Sequence, residues 1–280
     1  MKNGKIATVQ TILQLSRPRF WPYLAGPYLI GYAAVAPNIS SFTTAAFWIV
    51  FLYFLVPANI LIYGINDYFD RETDALNTKK TRQETRITGE NEALYRSAIL
   101  FALISTIPLF FFLPWQGSMT LLLFLFLGIG YSMPPFRLKA RPVLDSASNF
   151  LYAVPGLIGV FQLSESGPSL PVLLAAICWT AAMHLFSAIP DIEADTKAGV
   201  RTSAVVLGKR ASLGVCTVLW IVAGGTATLI NPVLSFTLLY PLIPLWLLVH
   251  PITDITRVYW IFPYLNLGAG FVLFWSVVLT

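Results

Sequence analysis

The chain has 280 residues and a net charge of +5; 56% of its residues are hydrophobic and 11% are charged. A soluble domain carries about 25% charged residues, and a mean hydropathy of +0.71 over apolar runs recurring from Phe20 onward marks a multi-pass membrane protein. With so little charge, no nucleic-acid partner is expected.

The uncharged stretches, in chain order, are Phe20 to Ala36, Phe42 to Ile65, Ser97 to Leu113, Trp115 to Phe136, Ser146 to Gln162 and Pro168 to Pro190. A run from Ala211 to Val249 is about twice a membrane thickness, and Asn231-Pro232 near its middle supplies a turn. The last stretch is Val258 to Thr280. Nine helices are therefore predicted, an all-α bundle, because backbone groups in lipid must be satisfied internally and the runs are too long for barrel strands. Nine spans of about 20 residues leave little for the aqueous phase, so residues 1–280 are expected to form one transmembrane domain. Met1 to Ser16 carries Lys2 and Lys5 without an apolar run and is not expected to be a cleaved signal peptide. Cys178 and Cys216 both fall inside spans, which argues against a disulfide scaffold or a cysteine metal site.

Under the nine-span reading, all 18 Lys and Arg residues fall before the first span or in alternate loops. The positive-inside rule makes that side cytoplasmic, with the N-terminus in the cytoplasm and the C-terminus outside. Twelve of the 13 acids lie on the same side, Glu165 being the exception. The charge rule does not require this of acids.

Two acidic clusters supply a reason. The second span ends in Asn66-Asp67-Tyr68-Phe69-Asp70-Arg71-Glu72-Thr73-Asp74, and the sixth in Asp191-Ile192-Glu193-Ala194-Asp195. If the helices run on, Asn66, Asp70 and Asp74 share one face, as do Asp191 and Asp195. Glu72 and Glu193 point elsewhere. Carboxylates stacked a turn apart repel one another unless a cation intervenes, and hard oxygen ligands suit Mg2+, which binds through one or two carboxylates plus substrate phosphates. A single cluster is equally well read as solvated loop acids balancing nearby Lys and Arg. Two clusters in equivalent places, four spans apart and each followed by a basic loop, favour a diphosphate held between metal ions.

These motifs, N-D-x-x-D-x-x-x-D and D-x-x-x-D, resemble those of the UbiA superfamily of intramembrane prenyltransferases, and the likeness covers essentially the whole chain. It implies a nine-helix fold, a Mg2+-dependent alkyl transferase and an isoprenyl diphosphate substrate. Carried over by position, it implies metal ligation by Asn66, Asp67, Asp70, Asp74, Asp191 and Asp195. Tyr131-Ser132-Met133-Pro134-Pro135 resembles the family's Tyr-Ser-x-Pro-Pro segment. Tyr131 and Ser132 are then expected as hydrogen-bond donors to the diphosphate, with Arg137, Lys139, Lys79, Lys80, Arg82 and Arg201 as cationic clamps; their alternative is snorkelling at the interface. Many quinone-pathway members carry Arg-Pro…Ser-Gly after the first motif, whereas this chain reads Asn77-Thr78-Lys79-Lys80-Thr81-Arg82.

Further segments resemble the lycopene elongase subgroup: Ser16-Arg17-Pro18-Arg19-Phe20-Trp21, Arg141-Pro142-Val143-Leu144-Asp145-Ser146 with Asn149, and Met183-His184-Leu185-Phe186-Ser187-Ala188-Ile189-Pro190-Asp191. That resemblance implies attack of a terminal lycopene double bond on a dimethylallyl cation, ended by proton loss or capture of water. Aromatic faces such as those of Tyr63, Tyr68, Phe69 and Tyr131 suit a cation. A base or water holder is needed, and intramembrane ionisable groups are functional by default. His184 is expected two turns before Asp191 on one helix face, in the cavity beneath the metal site, and Asp145 is the other catalytic residue expected. Structural hydrogen bonding for His184 and a salt bridge from Asp145 to Arg141 or Lys139 are the competing roles. The competing acceptors are an aromatic quinone precursor or a lipid alcohol. A third function, an ion-coupled transporter, calls for ionisable residues along a path, and the outer half of each span lacks Asp, Glu, Lys and Arg.

Overall fold

The computed structural model describes residues 11–74 and 91–279, which are helical with no strand among them. Two compact units divide the chain: Met1–Phe136 with Val154–Glu165, and Arg137–Ala153 with Ser166–Thr280. Seven helices among the described residues are long and apolar enough to cross a membrane. Of the expected spans, the first and fifth are not among these seven. The first contains a helix of 12 residues, α1 (Pro22–Ala33), and the fifth is broken into pieces.

In the first unit, α2 (Ala45–Leu55) is capped by the Thr44 side chain, which accepts from Phe47 N–H. It is continued by α3 (Pro57–Asp74). Proline at 57 removes a backbone donor at the junction. Asn59 compensates, its Nδ2 donating to the carbonyls of Phe54 and Leu55 at 3.0 and 3.1 Å. Next come α4 (Glu92–Ile104) and α5 (Trp115–Ser132). Leu15, Ile60, Leu61, Ile65, Tyr95 and Ala98 form one core where α3 meets α4.

The fifth expected span begins in the second unit as α6 (Leu144–Ala147) and a 3-10 turn, Ser148–Tyr152. It resumes in the first unit as α7 (Val154–Phe161). Glycines bring α7 against α1: a Cβ on Gly31 would stand 2.0 Å from the Gly156 carbonyl oxygen, and one on Gly159 2.4 Å from that of Tyr28. Such backbone contact is the usual device for packing helices in lipid, where hydrophobic burial gives little drive.

The second unit continues with α8 (Leu170–Ala188), α9 (Ile192–Lys197) and α10 (Ser203–Ile230). Asn231 ends α10 as expected, its side chain accepting from Val233 N–H. Helices α11 (Leu242–Val249), α12 (Ile255–Tyr259) and α13 (Phe262–Val278) complete it. Its core joins Phe186, Leu213, Trp220, Tyr240 and Phe262. Both cysteines are free and buried. Large apolar residues such as Phe101, Phe111, Leu229 and Tyr264 lie exposed, the lipid-facing surface expected of a membrane bundle.

Candidate active site

The first motif lies at the C-terminal end of α3 in the first unit. Asp67 and Asp70 are buried, at 8% and 7% exposure, while Asn66 is half-buried. Arg17 reaches this face. Its Nη2 stands 2.7 Å from Asp67 Oδ1, and its guanidinium lies 4.6 Å from the centre of the Tyr63 ring, one turn earlier. Tyr63 and Asp67 share a helix face four residues apart, and Arg17 lies along it. Arg17 adopts a left-handed φ of 48°, and Trp21 Nε1 ties the turn down by donating to Ser16 Oγ and the Ser16 carbonyl. Asn66 and Asp70 lie on the neighbouring face. Asp74 is the last residue of α3, with its side chain outside the description. Lys79, Lys80 and Arg82 fall outside the described residues.

Tyr131 and Ser132 close α5, Tyr131 half-buried and Ser132 at 1% exposure with no hydrogen-bond partner for its Oγ among the described residues.

In the second unit the second motif departs from the expected straight helix. Pro190 cannot continue the hydrogen-bond ladder of α8, so Ile189–Asp191 form a 3-10 turn and α9 starts afresh at Ile192. Asp191 and Asp195 are half-buried, and Glu193 is exposed, paired with Lys197 at 2.6 Å. Gly199, at φ 69°, reverses the chain after α9, and the Thr202 side chain caps α10 by accepting from Val205 N–H. Arg201, between them, is exposed.

His184 lies on α8, ahead of this turn. It stands 3.9 Å by its Nε2 from Asp145 Oδ2, and the 3-10 turn Ile189–Asp191 lies between it and the second motif. Asp145 has 0% exposure. Its partners are Ser203, Ser146 and His184, in place of the competing salt bridge to Arg141 or Lys139: Ser203 N–H donates to Oδ2 at 2.6 Å, and Ser203 Oγ and Ser146 N–H donate to Oδ1. Arg137, in a left-handed conformation at φ 40°, and Lys139 are half-buried where the second unit begins.

Among the described residues no three His, Cys, Asp or Glu side chains are grouped to hold a metal. Mg2+ asks for less, since one or two carboxylates with water and substrate phosphate suffice. Oxygen donors at the ends of apolar helices, including the buried Asp70, fit that ion better than they fit a softer metal. Arg17 and Ser203 carry this geometry without having been expected in it. Arg17 lay within a recognised segment, and no local pattern marked Ser203.

The UbiA prenyltransferase family matches residues 21–278, across both units. The lycopene elongase/hydratase of Haloferax volcanii is 39% identical over 91% of this chain and 84% of its own. That of Corynebacterium glutamicum is 34% identical over 80% and 79%. A UbiA homolog from Archaeoglobus fulgidus, solved with GPP and Mg2+, shares the fold at a TM-score of 0.68 and 22% identity, covering 96% of this chain and 100% of that one. The chain is a member of the UbiA prenyltransferase family, an intramembrane enzyme.

Proposed function

We propose that this enzyme transfers a dimethylallyl group from its diphosphate to an end of lycopene or a related carotenoid, with Mg2+ as cofactor. The observation that carries the reading is a pair of carboxylate motifs, each at the end of a helical span long enough to cross a membrane, in a chain aligned over 91% of its length with a lycopene elongase/hydratase.

Asn66, Asp70 and Asp74 from the first motif and Asp191 and Asp195 from the second are the proposed metal ligands, with Asp67 partly claimed by Arg17. A bound divalent ion supplies positive charge to the departing diphosphate. Tyr131 and Ser132 donate hydrogen bonds to the diphosphate, and Arg137, Lys139, Lys79, Lys80, Arg82 and Arg201 offset its charge. As the allylic C–O bond breaks, the electron pair leaves with the diphosphate. The ring faces of Tyr63, Tyr68 and Phe69 suit the remaining cation, and the apolar surroundings keep bulk water away. The terminal double bond of the polyene then forms the new C–C bond, leaving a tertiary cation. His184 takes the proton that this cation loses, or holds the water that adds to it.

Purified protein given labelled dimethylallyl diphosphate, Mg2+ and lycopene should form a product heavier by one or two five-carbon units, with or without added water. Product from an aromatic acid or a lipid alcohol, and none from lycopene, would move the acceptor to the competing class. The motif loops and N-terminus are proposed to be cytoplasmic and the C-terminus outside.

A further inference from the structure

Asp145 is a carboxylate with no exposed surface, placed in the second unit where two chain segments meet. Both of its oxygens are engaged. Oδ1 accepts from Ser146 N–H at 2.8 Å and from the Ser203 hydroxyl, and Oδ2 accepts from Ser203 N–H at 2.6 Å. Because its hydrogen is directed at Asp145, Ser203 Oγ has lone pairs to offer, and it accepts from Val143 N–H at 2.7 Å. His184 Nε2, 3.9 Å from Oδ2, is beyond hydrogen-bond length. The Asp145 carbonyl is itself held by Asn149 Nδ2 and Ser148 Oγ.

Val143 shows that this joint bears a load. Its φ is 72° with ψ −49°, a positive-φ conformation that a β-branched residue rarely adopts. Its side chain is 72% exposed, so burial gives no return for the strain. What the conformation secures is the hydrogen bond to Ser203. Two residues before Val143 is Arg141, and two residues before Ser203 is Arg201. Each is within about 7 Å of chain from the joint.

We propose that Asp145 is a positioning residue rather than the proton acceptor: with Ser203 it latches the basic segment 137–141 to the basic segment 197–201. The latch fixes where both present charge to a diphosphate. It rests on the prenyl-transfer reading for its substrate, and on hydrogen-bond geometry for its action. A base needs an acceptor position open to the reacting centre, and the geometry turns those of Asp145 toward Ser146 and Ser203.

The test compares wild type, Ser203→Ala, Ser203→Thr and Asp145→Asn in kinetics and in binding. Ser203→Ala should raise KM for dimethylallyl diphosphate about tenfold, the worth of one hydrogen bond to a charged group, and leave kcat within about twofold. Ser203→Thr, which keeps the hydroxyl, should restore KM. Asp145→Asn should raise KM as well. Overturning results are a kcat loss of about 100-fold in Asp145→Asn with KM unchanged, or a KM that Ser203→Ala does not move. Inorganic diphosphate with Mg2+, followed by calorimetry, reads the latch without turnover. Ser203→Ala should weaken that binding about tenfold, and unchanged affinity overturns the proposal. Wild-type protein that binds inorganic diphosphate in this latch-dependent way and transfers no prenyl group would refute the transfer reading alone. Wild-type protein that binds none would refute both.

Discussion

Arg17 and Asp67, fifty residues apart in sequence, meet at 2.7 Å with only 12% and 10% of their side chains exposed. Removing one member of such a pair leaves the other charge buried and uncompensated, at a cost of about 3 kcal/mol. Arg17→Ala is accordingly expected to lower the melting temperature in detergent, and Arg17→Ala with Asp67→Asn to recover much of the loss. The same pairing separates the two carboxylates of α3 by task. Asp67→Asn should shift the Mg2+ dependence less than threefold, about the size of a weak electrostatic effect, whereas Asp70→Asn should abolish Mg2+-dependent turnover. Equal losses in both variants would remove that division of roles.

Asp70 and Asp195 belong to different units and different motifs, so their variants ask whether both clusters serve the diphosphate. Metal-assisted departure is worth several kcal/mol, and Asp70→Ala or Asp195→Ala should each reduce diphosphate release roughly a thousandfold. Excess Mg2+ should recover little. Substantial release by the double variant would refute a metal role for both motifs.

His184 tests the end of the reaction rather than its beginning. His184→Ala should slow turnover by about 100-fold, the lower range of general acid–base catalysis, while affinity for Mg2+ and diphosphate stays near normal. A changed ratio of hydrated to dehydrated product would point the same way. Unaltered yield and product identity would exclude the residue from the chemistry.

What the sequence made legible is local. Carboxylates spaced by four residues, a Pro-containing turn at 231–232 and apolar runs of membrane length depend on near neighbours, and the structure places helices and their ends accordingly. Pro190 was equally visible as a breaker, yet the seven-residue spacing of His184 and Asp191 invited one helix face across it. Long-range pairing was not legible. Ser203 lies 58 residues from Asp145, and nothing in its neighbours announces a carboxylate partner. The positive φ of Val143 runs against the preference of its residue type, so local reasoning points away from the conformation that completes the joint.

The contact of α1 with α7 depends on glycine at position 31, where an added Cβ would lie 2.0 Å from a backbone oxygen that has no rotamer to escape through. Gly31→Val should lower thermal stability by about 3 kcal/mol or prevent recovery of monodisperse protein, at the upper end of overpacking costs. Gly26, on the same helix, has nothing within 4 Å of its added Cβ. Gly26→Ala should therefore be tolerated and gain slightly in helix propensity. Equal behaviour of the two variants would show that α1 and α7 do not pack through Gly31.

The two long-range joints also bear on how often the chain crosses the membrane. Residues 45–71 make one span of 27 residues with the first motif at its end, about 40 Å at 1.5 Å per residue. Because Arg17 touches Asp67 at that end, the chain between Arg17 and Ala45 has to travel the other way, and α1 with its flanks is the segment available. The same reasoning holds in the second unit. Asp145 touches Ser203, and α8 through α9 is one span from Leu170 to Lys197, so the broken fifth segment has to make the opposite crossing. Adding these two to the seven long helices predicts nine crossings, an odd number, and so termini on opposite sides. Single cysteines in a variant lacking Cys178 and Cys216 provide the measurement. One placed at Thr280 should react with a membrane-impermeant maleimide in intact cells, and one in residues 75–90 only after permeabilisation. Labelling of both positions under the same condition would mean an even number of crossings between them, and would remove the nine-span topology together with the opposite crossing argued from the Asp145–Ser203 joint.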